Sequence, residues 1–204
     1  QYRETMPAGV SILPVQIVPG ADKYQLTLWI DLEHCTGCHA CSIQCKAENN
    51  TPLDVDYNRV IYVEQGSYPN TKRLYVPMPC MHCGKPPCQA ACPVRAISKR
   101  AKDGIVLIDG DKCIGCRYCI WACPFGAPQF NAETRVTEKC TLCSHKTTDA
   151  NENLTGAVPA CVSTCIGRSR YFGDMNSLST VKRQNRAIRV GKGAAGAQPS
   201  VLYS

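Results

Sequence analysis

Residues 113–124 read C-I-G-C-R-Y-C-I-W-A-C-P, which spaces Cys113, Cys116, Cys119 and Cys123 as C-x2-C-x2-C-x3-C and closes on Pro124. Three further groups of four surround this run. Cys35, Cys38, Cys41 and Cys45 repeat the spacing without the proline. Cys80, Cys83, Cys88 and Cys92 follow C-x2-C-x4-C-x3-C and end in Pro93. Cys140 and Cys143 precede a loop-like polar stretch of 17 residues that leads to Cys161 and Cys165. The four groups use all sixteen cysteines of the 204-residue chain.

The 113–124 run has the spacing of a cubane iron–sulfur ligand set. Three cysteines at steps of three turn the chain about one compact object. The fourth lies across a short helix, points away and ligates the neighbouring cluster, so two runs make two clusters by exchanging fourth ligands. The proline after the last cysteine redirects the chain, because it disfavours helix at the residue before it. Sixteen thiolates suffice for four [4Fe–4S] clusters. Only Cys92 and Cys123 precede proline; Lys46 follows Cys45 and Ile166 follows Cys165. That difference predicts that the inner two runs pair with each other, and the outer two likewise.

Zinc is the main alternative, since Cys80-x2-Cys83 and Cys140-x2-Cys143 are each half of a zinc ribbon. Zinc does not call for three cysteines at successive steps of three, twice over. Disulfides suit the pattern less, because three cysteines within seven residues have poor geometry for cross-bridging.

The formal charge is +7 with neutral thiols. An oxidised cubane with four thiolates carries about −2, so four of them bring the loaded chain to about −1. The apparent basicity is therefore poor evidence for a nucleic-acid partner. Aromatic residues make up 7 % of the chain, so a core of side chains needs help, and metal–ligand bonds can give it. No stretch approaches the roughly 18 apolar residues of a membrane span. The best candidate, residues 10–18, is broken by Pro14. The first residue is Gln1, which reads as a processed, trimmed or engineered start.

Strand pairs beside short cysteine-bearing helices make the chain an α+β protein with the grammar of a small ferredoxin domain, and the family resemblance given below implies two ferredoxin-like units. Residues 1–25 read as an extended arm. Residues 26–50 and 134–175 make the outer unit, and residues 80–133 the inner one. Between them, residues 51–79 form an insert for a partner contact, with strands over 59–65 and 73–78 about a turn at 66–70. Residues 24–32 alternate like a strand. Lys102-Asp103-Gly104 marks a hairpin turn. Short strands are expected over 129–131, 135–138 and 169–172. Residues 178–188 suggest a helix, and residues 176–204 end as a strap.

His34, His39, His82 and His145 all sit beside complete cysteine sets, so they serve as hydrogen-bonding or surface residues rather than ligands. Trp29, Tyr118, Trp121 and Phe125 could shape an electron path, but core packing is the commoner reason for aromatics there. Arg117, Lys139, Arg168 and Arg170 would stabilise an added electron on any cluster they approach. Lys182, Arg183, Arg186, Arg189 and Lys192 form a solvated face or a docking surface. There is no P-loop, no dinucleotide glycine fingerprint and no Ser/His/Asp set, so catalytic residues are not expected.

Taken together, C-M-H-C-G-K-P-P-C-Q-A-A-C-P (80–93), K-D-G-I-V-L-I-D, D-K-C-I-G-C-R-Y-C-I-W-A-C-P-F-G-A, E-K-C-T-L-C-S-H, P-A-C-V-S-T-C and Y-F-G-D resemble the four-cluster iron–sulfur subunits of the dimethyl sulfoxide reductase family. The short subunits of polysulfide, thiosulfate and related reductases are most alike. The resemblance runs from about Leu26 to the C-terminus. It implies that Cys35, Cys38, Cys41 and Cys165 hold one cluster, and that Cys45, Cys140, Cys143 and Cys161 hold a second. A third falls to Cys80, Cys83, Cys88 and Cys123, and a fourth to Cys92, Cys113, Cys116 and Cys119. Some relatives lack a cysteine of the third run and carry three irons there; Cys116 is present, so four cubanes are expected. Pro128 and I-G-R-S-R (166–170) depart from the usual pattern beside the clusters, so potentials do not carry over.

The resemblance further implies a large catalytic partner with a molybdenum or tungsten bis-pyranopterin, and often a membrane subunit that handles quinones. The Cys35 cluster would face the former and the Cys113 cluster the latter. The chain would then be an electron-transfer subunit, attached to the membrane through a partner, on the periplasmic face or alternatively in the cytoplasm. Two other functions remain open from the residues: a free-standing polyferredoxin or a hydrogenase or formate dehydrogenase subunit, and a zinc-binding structural protein.

Overall fold

Leu26-Thr-Leu-Trp-Ile30 alternates large apolar residues and forms strand β1 (Leu26–Ile30), with Leu26, Leu28 and Ile30 fully buried. In the computed structural model, which describes residues 24–175 and 196–204, β1 is the middle strand of a three-stranded sheet. On one side it pairs antiparallel with β8 (Arg170–Asp174), Leu28 opposite Phe172. On the other it pairs parallel with β9 (Leu202–Tyr203), Ile30 beside Tyr203. The C-terminal residues thus form part of the sheet. Thr27, on the opposite face, is also buried and donates to the Ser200 carbonyl. Burying a leucine such as Leu28 contributes about 1.5–3 kcal/mol. Asp31 ends the strand: its Oδ1 accepts the backbone N–H of Glu33 at 3.0 Å and of His34 at 3.3 Å, an Asx turn that competes with further pairing.

The insert forms the longest ribbon, β2 (Asn58–Ser67) against β3 (Asn70–Pro79). Its base is packed: Asn58, Pro77 and Pro79 are buried. Its outer half is exposed, Ile61, Tyr62, Val63 and Tyr68 among it. Gly66 has φ +89, and a Cβ there would collide with the Asn70 carbonyl oxygen, so the turn demands glycine. Two short hairpins follow, β4 (Ile97–Lys99) with β5 (Val106–Ile108), and β6 (Gln129–Phe130) with β7 (Thr137–Glu138).

The helices are short and each bears cysteine or adjoins it: α1 (Ala40–Asn49), α2 (Pro87–Ala90), α3 (Tyr118–Ala122), α4 (Ser144–Thr147) and α5 (Ala160–Ser163). Here α1 packs on α5, and α2 on α3. The main core joins Leu26, Leu28, Ile30, Met81, Ile105, Leu142, Phe172, Val201 and Tyr203. A smaller one holds Ile97 and Val106 with Cys88 and Cys119. The result is a mixed α+β architecture of small sheets and short helices. The polar stretch 144–160, read as loop, contains α4. Residues 1–23 of the expected arm, the helix over 178–188 and the basic set Lys182, Arg183, Arg186, Arg189 and Lys192 lie outside the described residues.

Candidate metal centres

Four cavities are each walled by four thiols. Cys35, Cys38, Cys41 and Cys165 line the first, together with Arg170. Cys45, Cys140, Cys143 and Cys161 line the second. The third is lined by Cys80, Cys83, Cys88 and Cys123, with Lys139 in its wall. Around the fourth stand Cys92, Cys113, Cys116 and Cys119, with Arg117. These are the four sets that the resemblance implied.

Helix geometry explains how runs share cavities. A C-x3-C pair on a helix lies on one face, about 6 Å apart along the axis. On α1, Cys41 therefore reaches the first cavity and Cys45 the second. Packed against it, α5 gives Cys161 to the second cavity, and Cys165 just beyond its end lines the first. The other pair repeats this exchange. Cys88 on α2 enters the third cavity and Cys92 the fourth, while Cys119 on α3 enters the fourth and Cys123 the third.

Backbone and side-chain donors reach several sulfurs. Ala96 N–H donates to Cys92 Sγ at 3.2 Å and Ser169 N–H to Cys165 Sγ at 3.3 Å. Leu142 N–H donates to Cys140 Sγ at 3.4 Å, and Asn49 Nδ2 to Cys45 Sγ at 3.5 Å. Such bonds stabilise negative charge on sulfur. Burial dominates the thiols themselves. Burial, then the neighbouring Cys161 and Cys143, pushes Cys45 up to about 12. Cys83 is pushed up to about 12 by burial, then by Cys80 and Cys123. Cys140 rises well above the usual thiol range, through burial and then Cys45 and Cys80. Converging thiols that cannot all ionise in a dry wall are the arrangement a metal centre resolves, since metal binding displaces the protons.

The donor chemistry decides which centre fits. Each cavity offers four soft sulfur donors, as iron–sulfur clusters require. Sixteen such donors in four sets of four are the number that four cubane clusters take. A cluster in each cavity would supply one-electron chemistry; the residues to hold it are the four thiols named for that cavity.

The remaining expected residues fall into place individually. His34 bonds Asp31 at 2.9 Å and His145 bonds Glu48 at 3.0 Å, both on the surface. His39 begins α1 in the left-handed region and lines the first cavity. His82 is buried and its Nδ1 accepts the Val106 N–H at 3.0 Å. Burial, then Lys139 and Lys99, holds His82 well below its ordinary value, so the ring is neutral and its proton sits on Nε2. Phe125 is core, and Trp29 stacks on Tyr171 at 4.6 Å. Tyr118 and Trp121 correct the expectation of core packing: Trp121 is 88 % exposed and Tyr118 61 %. On α3, Cys119 takes the buried face, which turns its neighbours outward. Arg117 lies over the Phe130 ring at 3.7 Å. Arg168 lines none of the four cavities. The cysteine spacing gave no sign of Asn58, Ser169 or Thr137, which line cavity walls.

Known proteins share this pattern. The family model described as a 4Fe-4S dicluster domain matches residues 71–175. The sulfite dehydrogenase B subunit of Allochromatium vinosum is 43 % identical over 167 residues, covering 74 % of this chain and 70 % of that protein. The tetrathionate reductase B subunit of Salmonella typhimurium is 36 % identical over 220 residues, covering 100 % of this chain and 85 % of that one. The selenate reductase B subunit of Mesobacillus selenatarsenatis is 36 % identical over 219 residues, covering 89 % and 72 %. No helix among the described residues is long and apolar enough to cross a membrane. With thiol sets of this chemistry, a matching dicluster domain and relatives along most of its length, the chain belongs to the iron–sulfur electron-transfer subunits of the molybdopterin oxidoreductases.

Proposed function

We propose that the chain holds four [4Fe–4S] clusters and passes electrons along them between a molybdenum or tungsten pterin catalytic subunit and a second redox partner. Cys35, Cys38, Cys41 and Cys165 hold the first, and Cys45, Cys140, Cys143 and Cys161 the second. Cys80, Cys83, Cys88 and Cys123 hold the third, with Cys92, Cys113, Cys116 and Cys119 around the fourth. The observation that carries this reading is that sixteen thiols sort into four cavities of four, with none left over.

The same packing supports two ferredoxin-like units, an outer one built on α1 and α5 and an inner one on α2 and α3. Residues 26–50 with 134–175 make the outer unit, and residues 80–133 the inner. Cysteine exposure orders the route. Cys38 and Cys116 are the two exposed cysteines, one at the first cavity and one at the fourth. All four thiols of the second cavity are buried, and so are three of the third. The third cavity's Cys80 follows Pro79 of the second cavity's wall, and the second's Cys140 follows Lys139 of the third's. Electrons therefore enter and leave at the first and fourth cavities and cross between the second and third. The catalytic subunit docks at the Cys38 end and the other partner, a membrane subunit that reacts with quinone on the periplasmic face, at the Cys116 end. The exposed ribbon β2–β3 adds a partner contact.

Anaerobic purification of the complex tests this. The expected result is about sixteen irons and as many sulfides per chain, broad visible absorbance bleached by dithionite, and a co-purifying large pterin subunit. Zinc without iron, or iron for two clusters only, would overturn it.

A further inference from the structure

Lys139 carries a buried ammonium in an unusual place. It precedes Cys140 of the second cavity, yet its side chain lines the third, beside Cys80, Cys83, Cys88 and Cys123. The residue is 2 % exposed. Its Nζ donates to the Val106 carbonyl and, at 3.2 Å, to the Cys140 carbonyl. No carboxylate pairs with it among the described residues. The nearby groups do not answer its charge: Lys99 is itself basic, and the buried Asp103 is taken by Arg100.

Taking an ammonium out of water costs several kcal/mol, and two neutral carbonyls recover only part of that. A purely structural tie between β5 and the Cys140 segment would need no charge; an uncharged amide could make it. Burial of a cation is favourable where an anion shares the low-dielectric wall. A thiolate-ligated cubane is such an anion, and it gains one more negative charge on reduction.

On the reading above, we propose that Lys139 is a positioning residue for electron transfer. Its ammonium stabilises the reduced state at the Cys80, Cys83, Cys88 and Cys123 site, and so sets the third cavity as the favoured stop where electrons cross between the two units. In the step itself one electron arrives from a neighbouring cavity and later leaves for the next. Lys139 breaks no bond and exchanges no proton. It acts through the thiolate-held charge it faces, and Lys99, whose Nζ donates to the Cys83 carbonyl at 3.0 Å, adds a weaker contribution from outside the cavity wall.

Redox titration of the purified complex, followed by electron paramagnetic resonance, tests the role. Lys139→Gln keeps a hydrogen-bond donor and removes the charge; Lys139→Arg keeps the charge. The expected result is that one reduction step falls about tenfold in its equilibrium constant in Lys139→Gln, about 59 mV for one electron, and stays near the parent value in Lys139→Arg. If Lys139→Gln loses its iron, Lys99→Gln gives a smaller fall in the third-site step, identified as the one that disappears in Cys88→Ser. Unchanged potentials in the glutamine variants, or equal shifts in Lys139→Gln and Lys139→Arg, would overturn the proposal while leaving the electron-transfer reading intact. A parent complex without iron would instead remove that reading.

Discussion

Arg170 donates a 2.9 Å hydrogen bond from Nη2 to Asn58 Oδ1, and both side chains are buried. The bond joins the first residue of β8 to the first residue of β2. It also fixes a cation between two cavities, because Arg170 lines the first and Asn58 the second. Nη1 is buried without an oxygen or nitrogen partner, and the guanidinium offsets the burial of the Cys161 thiol. The outer pair of cavities is thus built around a buried cation that Cys161, Cys41 and Cys165 face.

Asn58→Ala should therefore weaken the outer half specifically. Leaving a buried guanidinium donor unsatisfied costs about 1–3 kcal/mol. For a chain of this size each kcal/mol lowers Tm by about 2–4 °C. Thermal loss of visible absorbance in the purified complex measures it. A variant that melts with the parent would show that the bond contributes nothing.

Cysteine variants should separate the cavity at the end of the route from one at its centre. Cys38 is exposed, so Cys38→Ser should lose about a quarter of the iron and leave the rest of the fold standing. Cys140 is buried between the second cavity and Cys80 of the third. Cys140→Ser should cost iron from both cavities and lower soluble yield. Iron per chain distinguishes the two outcomes; equal losses in the two variants would contradict the order of the route.

Gly115 sits between Cys113 and Cys116 with φ +67, and a Cβ there would collide with the Arg135 carbonyl oxygen. An alanine must bear both the left-handed backbone and the clash, about 2 kcal/mol or more. Gly115→Ala should release iron from the fourth cavity first, read as the loss of one reduction step in a redox titration.

The sequence was legible where its physics is local. Ligand spacing is set by a helical turn, so Cys41 with Cys45 and Cys119 with Cys123 announced their separation to neighbouring cavities. The ribbon was readable for the same reason: strands expected over 59–65 and 73–78 are observed as Asn58–Ser67 and Asn70–Pro79. What stayed hidden depends on distant chain. The parallel pairing of β9 with β1 joins Tyr203 to Ile30, and nothing in L-Y announces its partner. Burial of Lys139 and His82 follows from the β4–β5 hairpin closing over them, which no window around either residue contains. The outward turn of Trp121 was missed because hydrophobicity suggested core, whereas Cys119 had already claimed the inner face of α3.

Removal of the metal should unfold the two halves unequally. Half of the four buried residues of the smaller core are cysteines, Cys88 and Cys119, beside Ile97 and Val106, and a third cysteine, Cys92, packs against them with Ile108 and Ile120. The larger core also contains Cys80, Cys83 and Cys140, but they are a minority there beside Leu26, Leu28, Ile30, Phe172 and Tyr203. Where ligation is a large share of cohesion, chelation is destabilising by the whole binding free energy. On anaerobic treatment with an iron chelator, amide protons of residues 97–99 should lose protection from hydrogen exchange before those of residues 26–30. Simultaneous loss in both segments would mean that the two cores unfold as one, and that the sheet around β1 depends on the thiol cavities as strongly as the β4–β5 hairpin does.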